Sequence, residues 1–224
     1  MDTNALISYL DSHNAEYEEW YRISKEKYLR IAKSLFGSLS NCNTTVLESC
    51  KFNSLLRVVR TFLDKSEIFE DWKSVKSLID FILLNVGVKN DRGQKEITMQ
   101  LLTLLVDILE RTKPIHSKNI LDKKRILDTI SSILSDDIDI ALSILKIIDV
   151  VLKMEGVVKY NIDNLFQIII KLLFSKEDVK QLCYLSKIVF TRLSKLEEKT
   201  VNPIFRWILN ESISYIMKVL KINQ

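Results

Sequence analysis

EITMQLLTLLVDIL (Glu96–Leu109) is followed 43 residues later by DIALSILKIIDVVL (Asp139–Leu152). Eight of the fourteen positions are apolar in both stretches. The apolar residues recur three and four apart, not two, so each stretch reads as a helix. They also cover more of the helix than one stripe. A helix that is apolar on two sides needs a neighbour on each of them, because a single hairpin partner leaves one side wet.

The same pattern continues along the chain. A shift of 41 aligns Ile138, Ala141, Leu142, Ile144, Ile147, Ile148 and Leu152 with Val179, Leu182, Cys183, Leu185, Ile188, Val189 and Leu193. A shift of 40 aligns Ile126, Ile130, Ile133 and Leu134 with Phe166, Ile170, Leu173 and Phe174. LIDFILL, beginning at Leu78, has the pattern of ILDTISS, beginning at Ile126. The unit is a pair of antiparallel helices of about 40 residues, a period characteristic of helical solenoids.

Composition agrees. The 224 residues are 47% hydrophobic and include only 4 Gly and 2 Pro, too few turn formers for a sheet protein of this size. Helices are expected over Ala15–Leu39, Val46–Asp64, Trp72–Val86, Gln94–Thr112, Asn119–Leu134, Ile138–Lys153, Ile162–Phe174, Val179–Lys195 and Pro203–Val219, with a short turn or helix at Asn4–Leu10. That makes about 9–11 helices in a single all-α domain. Residues 1–66 would cap the array, residues 72–195 would form about three helix pairs, and residues 203–220 a final helix.

LLFSKEDVKQLCYL (Leu172–Leu185) resembles a HEAT repeat. Asp178 stands in the tight turn, and Val179, Lys180 and Cys183 take the β-branched, basic and small places that open the second helix. ILSDDIDIAL (Ile133–Leu142) is similar but has Asp139 where a base is usual. The first unit lacks the tight turn, and the usual proline of the first helix is missing. The resemblance covers about Trp72–Lys195 and implies a HEAT- or armadillo-like α-solenoid whose second helices line a concave surface.

No residue set points to a reaction. His13 and His116 stand alone in polar contexts, and Cys42, Cys50 and Cys183 lack metal-ligand spacing. The four glycines, Gly37, Gly87, Gly93 and Gly156, fall at helix ends or in loops and build no phosphate-binding loop. Asp136/Asp137 and Glu197/Glu198 sit in turns before helices, where capping accounts for acids. No catalytic, metal or cofactor residue is therefore expected. The odd cysteine count favours a reducing compartment. No signal peptide or run of about 20 apolar residues is present, so a soluble intracellular protein, cytoplasmic or nuclear, without a membrane partner is expected.

What varies between repeats is the polar stripe left on each second helix. In the first unit it is Glu96, Gln100, Thr103, Asp107 and Glu110; in the second Asp139, Ser143, Lys146, Val150 and Lys153; in the third Lys180, Tyr184, Lys187, Thr191 and Ser194. Three acids give way to one acid with two bases and then to two bases. A protein-binding concave face graded in charge is the expected functional surface. A second candidate is an aromatic patch of Tyr17, Trp20 and Tyr21, which reads either as the inner face of a capping helix or as a docking site.

The expected function is thus a non-enzymatic scaffold that binds other proteins. The alternative is a helical-repeat protein associated with chromatin or RNA. Lys123, Lys124 and Arg125 cluster, and Lys171–Lys199 carries seven bases against four acids. The net charge of +4 is mild for a nucleic-acid binder, and acids interrupt these bases.

Overall fold

The computed structural model describes residues 24–40, 49–86, 94–112, 122–133 and 138–154, together with Ile188 and Thr191. These residues are almost wholly helical, with no strand among them. The chain divides into two compact units, Met1–Leu121 and Asp122–Gln224. The first holds α1 (Lys25–Leu39), α2 (Ser49–Leu63), a 3-10 turn (Ser66–Glu70), α3 (Trp72–Asn85) and α4 (Gln94–Arg111). The second holds α5 (Lys123–Ser131) and α6 (Ile138–Lys153). No helix among the described residues is long and apolar enough to cross a membrane.

Two helix boundaries differ from the periodicity. One unbroken helix from Ala15 to Leu39 is expected, but Ser24 has φ −57° and ψ 148°, and α1 starts at Lys25. Serine favours the position just before a helix, where the backbone is extended and its carbonyl accepts the first helical bond. Here Tyr28 N–H donates to Ser24 O at 3.0 Å. Likewise α5 runs only from Lys123 to Ser131, not from Asn119 to Leu134. The Asp122 carboxylate accepts the Arg125 N–H at 3.0 Å and caps the helix. Periodicity counts apolar residues and is blind to a cap set among polar ones.

In the first unit α1 packs on α3, α3 on α4, and α2 on α4. Helices two apart in sequence are thus spatial neighbours, and α4 has two helical neighbours, α2 and α3. The 3-10 turn joins the same core by burying Ile68 and Phe69. Sequence periodicity overlooks it because five residues are too short to show a period.

Tyr28, Phe36 and Phe62 tie α1 to α2. The Tyr28 and Phe62 rings lie 4.9 Å apart, and Phe36 meets Phe62 edge-on at 6.3 Å. The buried Tyr28 hydroxyl donates to the Phe62 carbonyl, and the Lys65 ammonium sits 4.4 Å above its ring. Buried polar groups in α3 are satisfied locally. Ser74 Oγ donates to Asp71 Oδ2 at 2.8 Å, and Asn85 Nδ2 to Phe81 O at 2.8 Å. In the second unit α5 packs on α6, and Lys123 Nζ donates to Met154 O just beyond the end of α6 at 3.2 Å. That puts a cation at the negative end of a helix.

The doubled stretch forms the body of α4 and of α6, and the two share a burial profile. Ile97, Leu101, Leu102, Leu104, Leu105 and Ile108 are buried, as are their counterparts Ile140, Ile144, Leu145, Ile147, Ile148 and Val151. Glu96, Thr103 and Glu110 are exposed, as are Asp139, Lys146 and Lys153. At about 100° per residue, the buried positions of α4 sweep an arc of about 200°, from Leu104 through Leu101 to Val106. An ordinary surface helix buries a stripe of roughly 100°, which one neighbour covers. The packing of α4 on both α2 and α3 accounts for the difference.

Candidate functional site

The polar stripe on α4 lies on the outward arc. Glu96, Thr103 and Glu110 are exposed, and Gln100 and Asp107 are half-buried. Gln100 Nε2 donates to Glu96 Oε1 at 3.2 Å, and Thr103 Oγ1 donates to Met99 O at 2.9 Å. The stripe is therefore partly self-satisfied near its N-terminal end.

Its C-terminal end opens on a cleft of about 100 Å³. Leu63, Phe69 and Leu104 form an apolar floor, and Arg60, Asp64, Asp107 and Arg111 supply the charged walls. Three elements converge here: the last turn of α2, the 3-10 turn and α4. Arg111 Nη1 donates to Leu63 O at 2.8 Å. A cation there occupies one of the carbonyls left open at the end of α2 and meets the negative end of its dipole.

This use of Arg111 has a consequence. Asp107 stands four residues before Arg111, the spacing at which an acid and a base pair on one helix. The guanidinium bonds the Leu63 carbonyl instead, and no ion pair involving Asp107 occurs among the described residues. Asp64 stands likewise four residues after Arg60, and the two do not form an ion pair. Of the cleft residues, only Asp107 belongs to the expected stripe. Arg60, Asp64 and Phe69 come from a different helix end and turn, and periodicity on α4 says nothing about them. The one signal in the sequence is Asp64 itself, an acid at a helix C-terminus, where the dipole disfavours it.

On α6 the stripe is narrower than expected. Asp139, Lys146 and Lys153 are exposed, but Ser143 and Val150 are buried at 9% and 7% exposure. The buried arc widens to about 260°. Ser143 is thus withdrawn from any surface contact in this fold. Lys153 Nζ lies 2.6 Å from Asp149 Oδ2, one turn earlier, so its charge is already matched on its own helix.

Of the third stripe, Thr191 is helical and half-buried, while Lys180, Tyr184 and Lys187 lie outside the described residues. Tyr17, Trp20 and Tyr21 also lie outside them. In the basic cluster Lys124 and Arg125 are exposed, but Lys123 is half-buried and its ammonium is bonded to the Met154 carbonyl.

Fold and site together define an all-α protein with a polar stripe along a largely buried helix. No family model, curated protein or solved structure matches the chain.

Proposed function

We propose that the chain is a non-catalytic protein-interaction scaffold, built as an α-solenoid of helix pairs similar to HEAT and armadillo repeats. It would serve as a subunit or domain of a larger intracellular assembly. The observation that carries this reading is the profile shared by α4 and α6. Apolar burial is repeated at six matched positions, and both helices expose a line of three residues seven apart, where Thr103 and Glu110 of α4 are replaced by Lys146 and Lys153 of α6. Packing demands explain the repeated part. They place no demand on the exposed part, which is where binding specificity can be written. The packing of α1 on α3 and of α2 on α4 supports a layered array, because in a solenoid each pair stacks on the next.

In such an array the second helices present their stripes on the concave face, and an extended surface of this kind suits other proteins better than a small substrate. The cleft beside α4, at about 100 Å³, is well below the 300–1,000 Å³ usual for small-molecule sites.

The test is affinity capture of partners by the full chain and by two stripe variants, Glu96→Lys/Glu110→Lys and Lys146→Glu/Lys180→Glu/Lys187→Glu. Partners retained by the parent and lost by either variant support the reading. An identical partner set from all three overturns it. Capture of nucleic acid, with affinity falling steeply with salt, would favour the chromatin or RNA reading instead.

A further inference from the structure

We propose that the outward face of α1 and α3 attaches to the surface of an anionic membrane. This goes beyond the scaffold reading and does not rest on it. The two helices start side by side: α1 packs on α3, and Lys25 Nζ lies 3.3 Å from Glu70 Oε2, just before α3 begins. Tyr28, Phe36 and Phe62 join α1 to α2, and α3 packs on α4. The sides that α1 and α3 leave exposed therefore face away from α2 and α4.

That face is basic. On α1, Arg30 lies opposite the buried residues, with Lys27 and Lys33 about 60° to either side. On α3, Lys73 and Lys76 are exposed. None of these five bases forms an ion pair among the described residues. Against them stand Glu26 and the half-buried Asp80. Glu26 is four residues before Arg30, a spacing that allows pairing, yet the two do not pair. The opposite layer is balanced, with Arg57, Arg60, Lys95 and Arg111 against Asp64, Glu96, Asp107 and Glu110.

Apolar side chains share the basic face. Trp72 and Leu84, 37% and 46% exposed, are the exposed large apolar residues among those described. They lie with Lys73 and Lys76 in an arc of about 120° on α3. Lys73 Nζ is 5.8 Å from the centre of the Trp72 ring. Bases alone suit any polyanion, but a phosphate backbone gives Leu84 nothing to bury against. A membrane interface takes bases and apolar side chains together, and tryptophan suits its boundary between wet and apolar. Such attachment works through a surface, so it needs neither a cleft nor a helix long enough to span the bilayer.

The test sediments the full chain with vesicles of phosphatidylcholine containing one-third phosphatidylserine, and with vesicles of phosphatidylcholine alone. The chain should sediment with the first and not with the second. Each base removed should cost about fivefold, so Lys27→Gln/Arg30→Gln/Lys33→Gln should weaken binding about a hundredfold. Trp72→Ser/Leu84→Ser should weaken it about tenfold. Arg57→Gln/Arg60→Gln removes two bases from the opposite layer, beyond the screening length at physiological salt, and should stay within about threefold of the parent. A single-stranded oligodeoxythymidylate should not displace the chain from the vesicles.

Absence of binding to the anionic vesicles, or equal binding to both kinds, would overturn the proposal. So would affinity within threefold of the parent in the triple variant or in Trp72→Ser/Leu84→Ser, or a loss in Arg57→Gln/Arg60→Gln as large as in the triple variant. Displacement by the oligonucleotide would overturn it in favour of nucleic acid. Circular dichroism of each variant separates these outcomes from misfolding.

Discussion

Leu102 and Leu104 lie about 160° apart around α4, on opposite flanks of its buried arc, and both are fully buried. If α4 is covered on two sides, truncating either leucine opens a cavity. Leu102→Ala and Leu104→Ala should each then cost about 2–5 kcal/mol. Thr103 points outward between them. Its hydroxyl only returns a bond to Met99 O, and alanine is the better helix former, so Thr103→Ala should change stability by less than about 0.5 kcal/mol. For a chain of this length each kcal/mol moves the melting temperature by about 2–4 °C. The leucine variants should melt about 4–20 °C lower, and the threonine variant within about 2 °C of the parent. Thermal unfolding followed at 222 nm reads all three. A silent substitution at one leucine alongside a costly one at the other would show that α4 has cover on one flank only. That result would remove the two-sided packing on which the layered array depends.

Further outcomes can be checked by the same melting assay. Tyr28→Phe removes the hydroxyl that donates to the Phe62 carbonyl and should cost about 1 kcal/mol, whereas Lys25→Ala, which breaks the exposed pair with Glu70, should cost less than about 0.5 kcal/mol. Gly37→Ala should stabilise by about 0.5–1 kcal/mol, because Gly37 is inside α1 and an added Cβ meets nothing within 4 Å. Asp122→Ala deletes the cap of α5 and should cost about 0.5–2 kcal/mol; Asp122→Ser should restore most of the loss.

The helical class was legible in the sequence, as was the outward direction of Glu96, Thr103 and Glu110 and of Asp139, Lys146 and Lys153. Both follow from each helix's own period, since 3.6 residues per turn place positions seven apart on nearly one line. The start of α1 at Lys25 and that of α5 at Lys123 did not follow from it, because the extended backbone at Ser24 and the Asp122 cap mark those ends. What covers each helix was a matter for the tertiary structure. Ser143 and Val150 look outward by period and are buried by neighbours. Asp107 looks like one more solvated acid, but the last turn of α2 and Phe69 join it in a cleft, and Arg111 is drawn off to a carbonyl 48 residues away in sequence. Periodicity is a property of one segment. Burial, and the partner a charge finds, depend on which other segments arrive beside it, and these come from parts of the chain whose own patterns carry no record of the meeting.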